Sequence, residues 1–182
     1  MELRCLMKSS ILAIGLAAAM AFSASAALAQ DKTAAGKDSQ KFIKAAIEGN
    51  YAEVDVGKLA QEKGKNDAVK QYGAMLVKDH GAANDKARQA ASQIGVDPPI
   101  GSGVAHKAAY LKLKVLSGDS FDRSFAKGMI KDHEADIKEY QKASAKSDAA
   151  GAYAKEALPT LQHHLQEAQA LNQQVQMKQS MR

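Results

Sequence analysis

Apolar residues along this chain recur at three- and four-residue steps, and no segment alternates with the period of two that a half-buried strand requires. In Asp67–Ile94 the stripe is Val69, Tyr72, Leu76, Ala83, Ala87, Ala90 and Ile94. In Ala149–Met177 it is Ala150, Ala154, Ala157, Leu161, Ala168, Leu171 and Val175. Spacing of this kind puts one apolar face on a helix. Two further helices are predicted over Gln40–Lys63 and from Asp119 or Ser120, either of which can cap it, to Lys146. A short one is predicted over Val104–Leu116. The breakers fall between them: Gly64, Gly95 with Pro98-Pro99, and Gly118. Pro159 lies inside the last helix, so a kink or break is expected near Glu156–Leu158, where its ring clashes with the preceding turn. Four long helices, two tight links and one long crossover define an all-α fold, a ferritin-like four-helix bundle with a short crossover helix. Its alanine-rich seams let helices approach closely but bury little apolar area, which implies modest stability for the length.

Each seam has a gap, and the gaps are polar. Between Leu76 and Ala83 only Asp79 or His80 can fill the face. In the fourth helix Phe121, Phe125 and Met129 lead to Asp132 or His133 before Ile137 and Tyr140 resume. In the last helix the gap is His164. The Lys-Asp-His triplet occurs twice, fifty-three positions apart. His80, His133, His164 and Glu53 all stand near the middle of their helices. At about 1.5 Å rise per residue, mid-helix residues share one layer whichever way each helix runs. Glu53, Asp79, His80, Asp132, His133 and His164 are therefore the candidate metal ligands, since imidazole and carboxylate hold zinc, copper, iron or manganese. The other reading of the same layer is a polar network that fixes helix register. Adjacent helical residues point about 100° apart, so Asp and His of one pair cannot both face the axis. His163 points off the seam, His106 has no evident partner, and Met75, Met129, Met177 and Met181 read as core fillers.

The N-terminus reads as an address. Arg4 and Lys8 precede the apolar run Ile11–Phe22, and Ala27-Leu28-Ala29 supplies the small residues of a cleavage site. That run is shorter than the about 20 residues that span a bilayer. The expected organisation is a secretory signal peptide over 1–29, a disordered leader over 30–38, the bundle over 39–176 and a tail over 177–182. Cleavage removes Cys5, the single cysteine, so thiolate sites are excluded from the mature chain. It also takes the net charge from +5 to +4. Lysines and acids interleave instead of forming a basic stripe, which excludes nucleic acid as a partner. The mild positive charge is compatible with peripheral contact with an anionic membrane. No nucleophile motif or phosphate-binding loop is present.

The runs FIKAAIEGNYAEVDVGKLA, AVKQYGAMLVKDH, FDRSFAKGMIKDH and LPTLQHHLQEAQAL, in that order from about Ser39 to Val175, resemble a bacterial exported family. It is catalogued as domain of unknown function 4142 and often labelled "predicted outer membrane protein". The resemblance implies a ferritin-like fold and carries no activity with it. The family's glutamate falls on Glu53, its Asp-His pairs on Asp79-His80 and Asp132-His133, and its late histidine on His164. Di-iron bundles of that fold use Glu-x-x-His, with both ligands on one face. This chain departs from that spacing, which favours one divalent ion over a pair. Three functions from different classes follow: a non-enzymatic exported bundle of the cell envelope, a periplasmic bundle storing or buffering a divalent metal, and a metal-dependent oxidoreductase. The first needs no special site and is the primary reading. The outer-membrane label conflicts with helices whose outer faces are this polar, and a barrel would need period-two segments. The expected location is periplasmic.

Overall fold

A computed structural model describes residues 35–180. The expected signal peptide with Cys5, the start of the leader and Met181 lie outside the described residues. The helices are α1 (Lys37–Lys63), α2 (Asp67–Gln93), α3 (Val104–Lys114), α4 (Gly118–Ala143) and α5 (Ala149–Ser180). Among the described residues there is no strand, and no helix is long and apolar enough to cross a membrane.

Two core clusters fix the direction of every long helix. One gathers Ile43 and Ile47 of α1, Ala87–Ile94 of α2, Tyr140 of α4, and Tyr153 and Leu161 of α5. The other gathers Leu59 of α1, Val69–Leu76 of α2, Phe121–Met129 of α4, and Leu171 and Val175 of α5. So α1 and α5 run one way while α2 and α4 run the other. The chain between α2 and α4 must travel the length of the bundle, and α3 is that crossover, packing on α1 and α4. More than half of the first cluster is alanine. Helices come closest where glycines face each other. A Cβ at Gly57 would stand 2.6 Å from the Gly73 carbonyl oxygen, and one at Gly73 would stand 2.6 Å from the Gly57 carbonyl oxygen.

The ends of the helices carry most of the departures from the sequence pattern. Asn66 caps α2 by accepting the Ala68 N–H at 3.2 Å, and Gly95 ends it with φ 69°. α4 begins earlier than expected, because Gly118 at φ 56° turns the chain directly into the helix behind Ser117. Neither Asp119 nor Ser120 caps it: Asp119 pairs with Lys65 at 3.0 Å, and Ser120 Oγ accepts from Arg123 at 3.2 Å. The expected break at Pro159 does not occur, and α5 is one helix. Pro159 and Lys155 are both exposed, so the carbonyl that loses its partner faces water. The boundaries drawn for leader and tail also move. Ala35 is buried and accepts a hydrogen bond from Gln40 at 2.9 Å, α1 starts at Lys37, and α5 continues through Ser180. Buried Asp122 fastens the α1–α2 turn to α4, accepting the backbone N–H of Lys65 at 3.0 Å and of Asn66 at 2.9 Å.

Candidate metal centre

Between the two clusters each of the four long helices contributes buried polar side chains: Asn50 and Glu53 from α1, His80 and Asn84 from α2, His133 from α4 and His164 from α5. Helical periodicity alone puts them there. Each sits on the seam face of its helix at the height where the apolar set is interrupted. His133 and His164 have no exposed surface, and His80 retains 4%. The ring centroids form a triangle of 5.1, 5.3 and 5.7 Å. One nitrogen from each ring lies within 4.8 Å of the others, the one such group among the described residues.

The hydrogen bonds assign the protons. His133 Nδ1 lies 2.9 Å from the Met129 carbonyl and must donate to it, which leaves Nε2 as a lone pair. His80 Nδ1 donates to Asn50 Oδ1 at 3.0 Å, and its Nε2 is buried without a partner. His164 Nε2 stands 3.1 Å from the Asp79 carboxylate and donates to it, so Nδ1 carries the lone pair of the neutral ring. Each histidine thus commits one nitrogen outward and holds the other in reserve. His133 Nε2 and His164 Nδ1 then face each other at 3.3 Å. Two lone pairs at that distance repel unless a cation sits between them. The cation is either a proton, which makes one ring imidazolium, or a metal.

Burial opposes the imidazolium. It lowers the pKa of all three rings. His80 is pushed well below the usual range by burial, with His164 and His133 adding to the effect. His133 falls to about 4, mainly through burial, against the opposing pull of the Met129 carbonyl. His164 is lowered by burial, opposed by its bond to Asp79. The neutral imidazole is the form of histidine that can bind a metal. Two nitrogens bound at about 2.0–2.1 Å to a tetrahedral ion stand about 3.3 Å apart, which is the separation of the His133 and His164 nitrogens.

Partners behind the rings orient them. Asn50 donates onward to Tyr153 Oη at 3.0 Å, and Tyr153 lies 3.3 Å from Tyr140 Oη. Tyr72 donates to the His164 backbone carbonyl at 3.0 Å. A carboxylate, an amide oxygen and a backbone carbonyl, one behind each ring, are the kind of outer partners that fix tautomer and ring orientation at metal sites. A cleft of about 220 Å³ between α2 and α5 reaches the centre past Asn50, Asp79, His80, Tyr153 and His164, with the Lys86–Glu156 ion pair, 2.6 Å long, on its exposed part.

Of the six candidate residues, the structure brings His80, His133 and His164 together. Asp79 stands behind His164. Asp132 is exposed and outside the group, as the 100° step from His133 requires. Glu53 is buried at the waist but does not join the three nitrogens. Its carboxyl is held well above the usual range by burial, then by Asp136 and Asp132 across on α4, and Oε2 has no partner. His163 is exposed, His106 is exposed, Met129 lies in the core, and Met177 points outward with 57% exposure. Asn50, the partner of His80, and Asp136, which raises the Glu53 carboxyl, were not among the candidates. Yet Asn50 sits on the α1 seam of Ile43, Ile47, Gly57 and Ala60, and that seam alone marked it.

Fold and site together define an all-α bundle with a buried polar waist. Over residues 23–171 the chain matches the family model described as Domain of unknown function (DUF4142), and it belongs to that family. Its fold is similar to the "Crystal structure of DUF305 fragment from Deinococcus radiodurans", with a TM-score of 0.68 and 12% identity. That likeness covers 77% of this chain and 98% of the other. No curated protein matches the sequence.

Proposed function

We propose that this chain binds one divalent transition-metal ion through His80, His133 and His164, as a storage or buffering bundle. One observation carries the reading: each imidazole spends one nitrogen on an outer partner, and one nitrogen of each ring lies within 4.8 Å of the other two in a buried layer. Three neutral nitrogen donors suit zinc, copper, nickel or iron better than magnesium or calcium. The α2–α5 cleft gives an entry path and room for a water or small anion as a fourth donor. The basic start and apolar run of residues 4–22 support an exported setting, where histidine replaces thiolate as donor.

A second reading is favoured by the 3.1 and 3.3 Å contacts of His164: an imidazolium balanced by Asp79, serving only to fix helix register. Calorimetric titration of the tag-free chain with zinc at pH 7.5 separates the two. Metal binding predicts one ion per chain, bound much more weakly in His133→Ala and in His164→Ala. The register reading predicts no binding heat, and a loss of stability in both variants whether or not zinc is present.

A further inference from the structure

Among the described residues the exposed large hydrophobics are Ile100, Val104, Leu111, Val115 and Met177, so all but one lie on the crossover. Val104, Ala108, Leu111 and Val115 fall within about a 60° arc of α3 at 100° per residue. Val104 is 85% exposed, Leu111 59% and Val115 82%, with Ile100 at 93% just ahead of the helix. The opposite side of α3 carries Tyr110, Leu113 and Leu116, which pack on the bundle core. α3 is therefore apolar on two faces, one covered by its own bundle and one bare.

Lysines occupy the borders between those faces. Lys112 lies on one side of the bare stripe, and Lys107 and Lys114 lie on the other. All three are exposed. Residues 98–118 contain no aspartate or glutamate. Carboxylates do approach α3 on the sides that face α1 and α4: Glu48 stands against Gly103, Asp55 lines a groove with His106 and Lys107, and Asp132 interacts with His106. The face is also held in place at both ends. Arg88 Nη1 donates to the Pro99 carbonyl at 3.5 Å, and Lys63 Nζ donates to the Lys114 carbonyl.

We infer that the outer face of α3 is a docking surface for an anionic lipid membrane, lying flat with Val104, Leu111 and Val115 among the acyl chains and the lysines at the headgroups. An apolar stripe flanked by lysines suits such an interface, because the side-chain stems cover apolar surface while the ammonium groups reach the phosphates. Charge selects this occupant over a second copy of the chain, since a symmetric pair of these faces would set lysines against lysines.

The test uses the chain from Gln30, which keeps every residue of both core clusters. The protein contains no tryptophan, so Leu111→Trp places a single fluorescent reporter on the face. Vesicles of phosphatidylglycerol mixed with phosphatidylcholine are predicted to shift its emission to the blue. Pure phosphatidylcholine vesicles should not, and 0.5 M salt should reverse the shift. Lys107→Gln with Lys112→Gln should weaken partition by roughly thirtyfold, from the weight of each basic residue at an anionic surface. Val104→Ser with Val115→Ser should abolish it, with unchanged circular dichroism, because both positions are exposed. No shift with anionic vesicles, or an equal shift with neutral ones, overturns the proposal. A blue shift that grows with protein concentration in the absence of lipid also overturns it and assigns the face to a second copy.

Discussion

At the scale of single residues, Asp79 stands behind His164 and aims its ring. Asp79→Asn keeps an acceptor for His164 Nε2 but removes the charge behind the ring. It is predicted to lower zinc affinity about 10–100-fold, the usual weight of an outer partner, while leaving the fold intact, since Asp79 is partly exposed. His133→Ala should lower it further than that. Calorimetry on the two variants checks the order, and equal losses would contradict it. The meeting of the three histidines at the waist was legible in the sequence, because a gap in a helical stripe fixes a direction: Leu76, His80 and Ala87 share a face, as do Met129 and His133. The position of Asp79 behind His164 was not legible. It depends on how far α2 and α5 are rotated towards each other, which no single helix encodes.

At the scale of helices, the close passage of α1 over α2 is the most sensitive contact. Gly73→Ala drives a methyl into the Gly57 carbonyl and the Ala60 side chain, with no flexible group there to give way. About 1–3 kcal/mol of destabilisation is expected from overpacking of this kind. Gly81→Ala, further along α2 where nothing lies within 4 Å, should instead stabilise by roughly 0.5–1 kcal/mol, as glycine-to-alanine changes do inside helices. Urea unfolding of the two variants reads both signs. The cores of the helices were readable from apolar spacing, and their ends were not. α4 starts where Gly118 adopts a positive φ, and Asp119 is taken by Lys65 instead of capping. Pro159 falls on a face where water can replace the lost bond, so the helix survives it. In each case a neighbour from another part of the chain, or solvent, overrode a local rule.

For the whole molecule, the polar waist makes stability depend on pH in two opposing ways. The three histidines have lowered pKa values, so the unfolded chain takes up protons first. Their contribution is complete above about pH 6.5, the ordinary histidine value. It is lost as pH falls towards the value of about 4 for His133. Asp136, pushed up to about 6 mainly by burial and then by Asp132, behaves in the reverse sense, and so does Glu53. For Asp136, stability is lost as pH rises from about 4, the ordinary carboxylate value, through 6. Asp136→Asn should therefore raise the melting temperature at pH 7 and leave it little changed at pH 4.5, which makes the acid limb steeper. Thermal melts across that range check the prediction. Metal adds a third influence. Zinc at about a hundred times its dissociation constant should stabilise the chain by about 2.7 kcal/mol at pH 7.5, worth roughly 5–10 °C for a domain of this size. The gain should vanish below pH 5, as protons compete for the same nitrogens.

The claim on which the rest depends is that three imidazoles at one height of the bundle act together as ligands. X-ray absorption at the zinc edge of the stoichiometrically loaded chain tests it most directly. The account predicts about three imidazole nitrogens at about 2.0–2.1 Å, falling to two in His133→Ala reloaded at high zinc. A first sphere dominated by oxygen, or a spectrum unchanged by that substitution, would place the ion elsewhere and leave the waist a hydrogen-bonded layer.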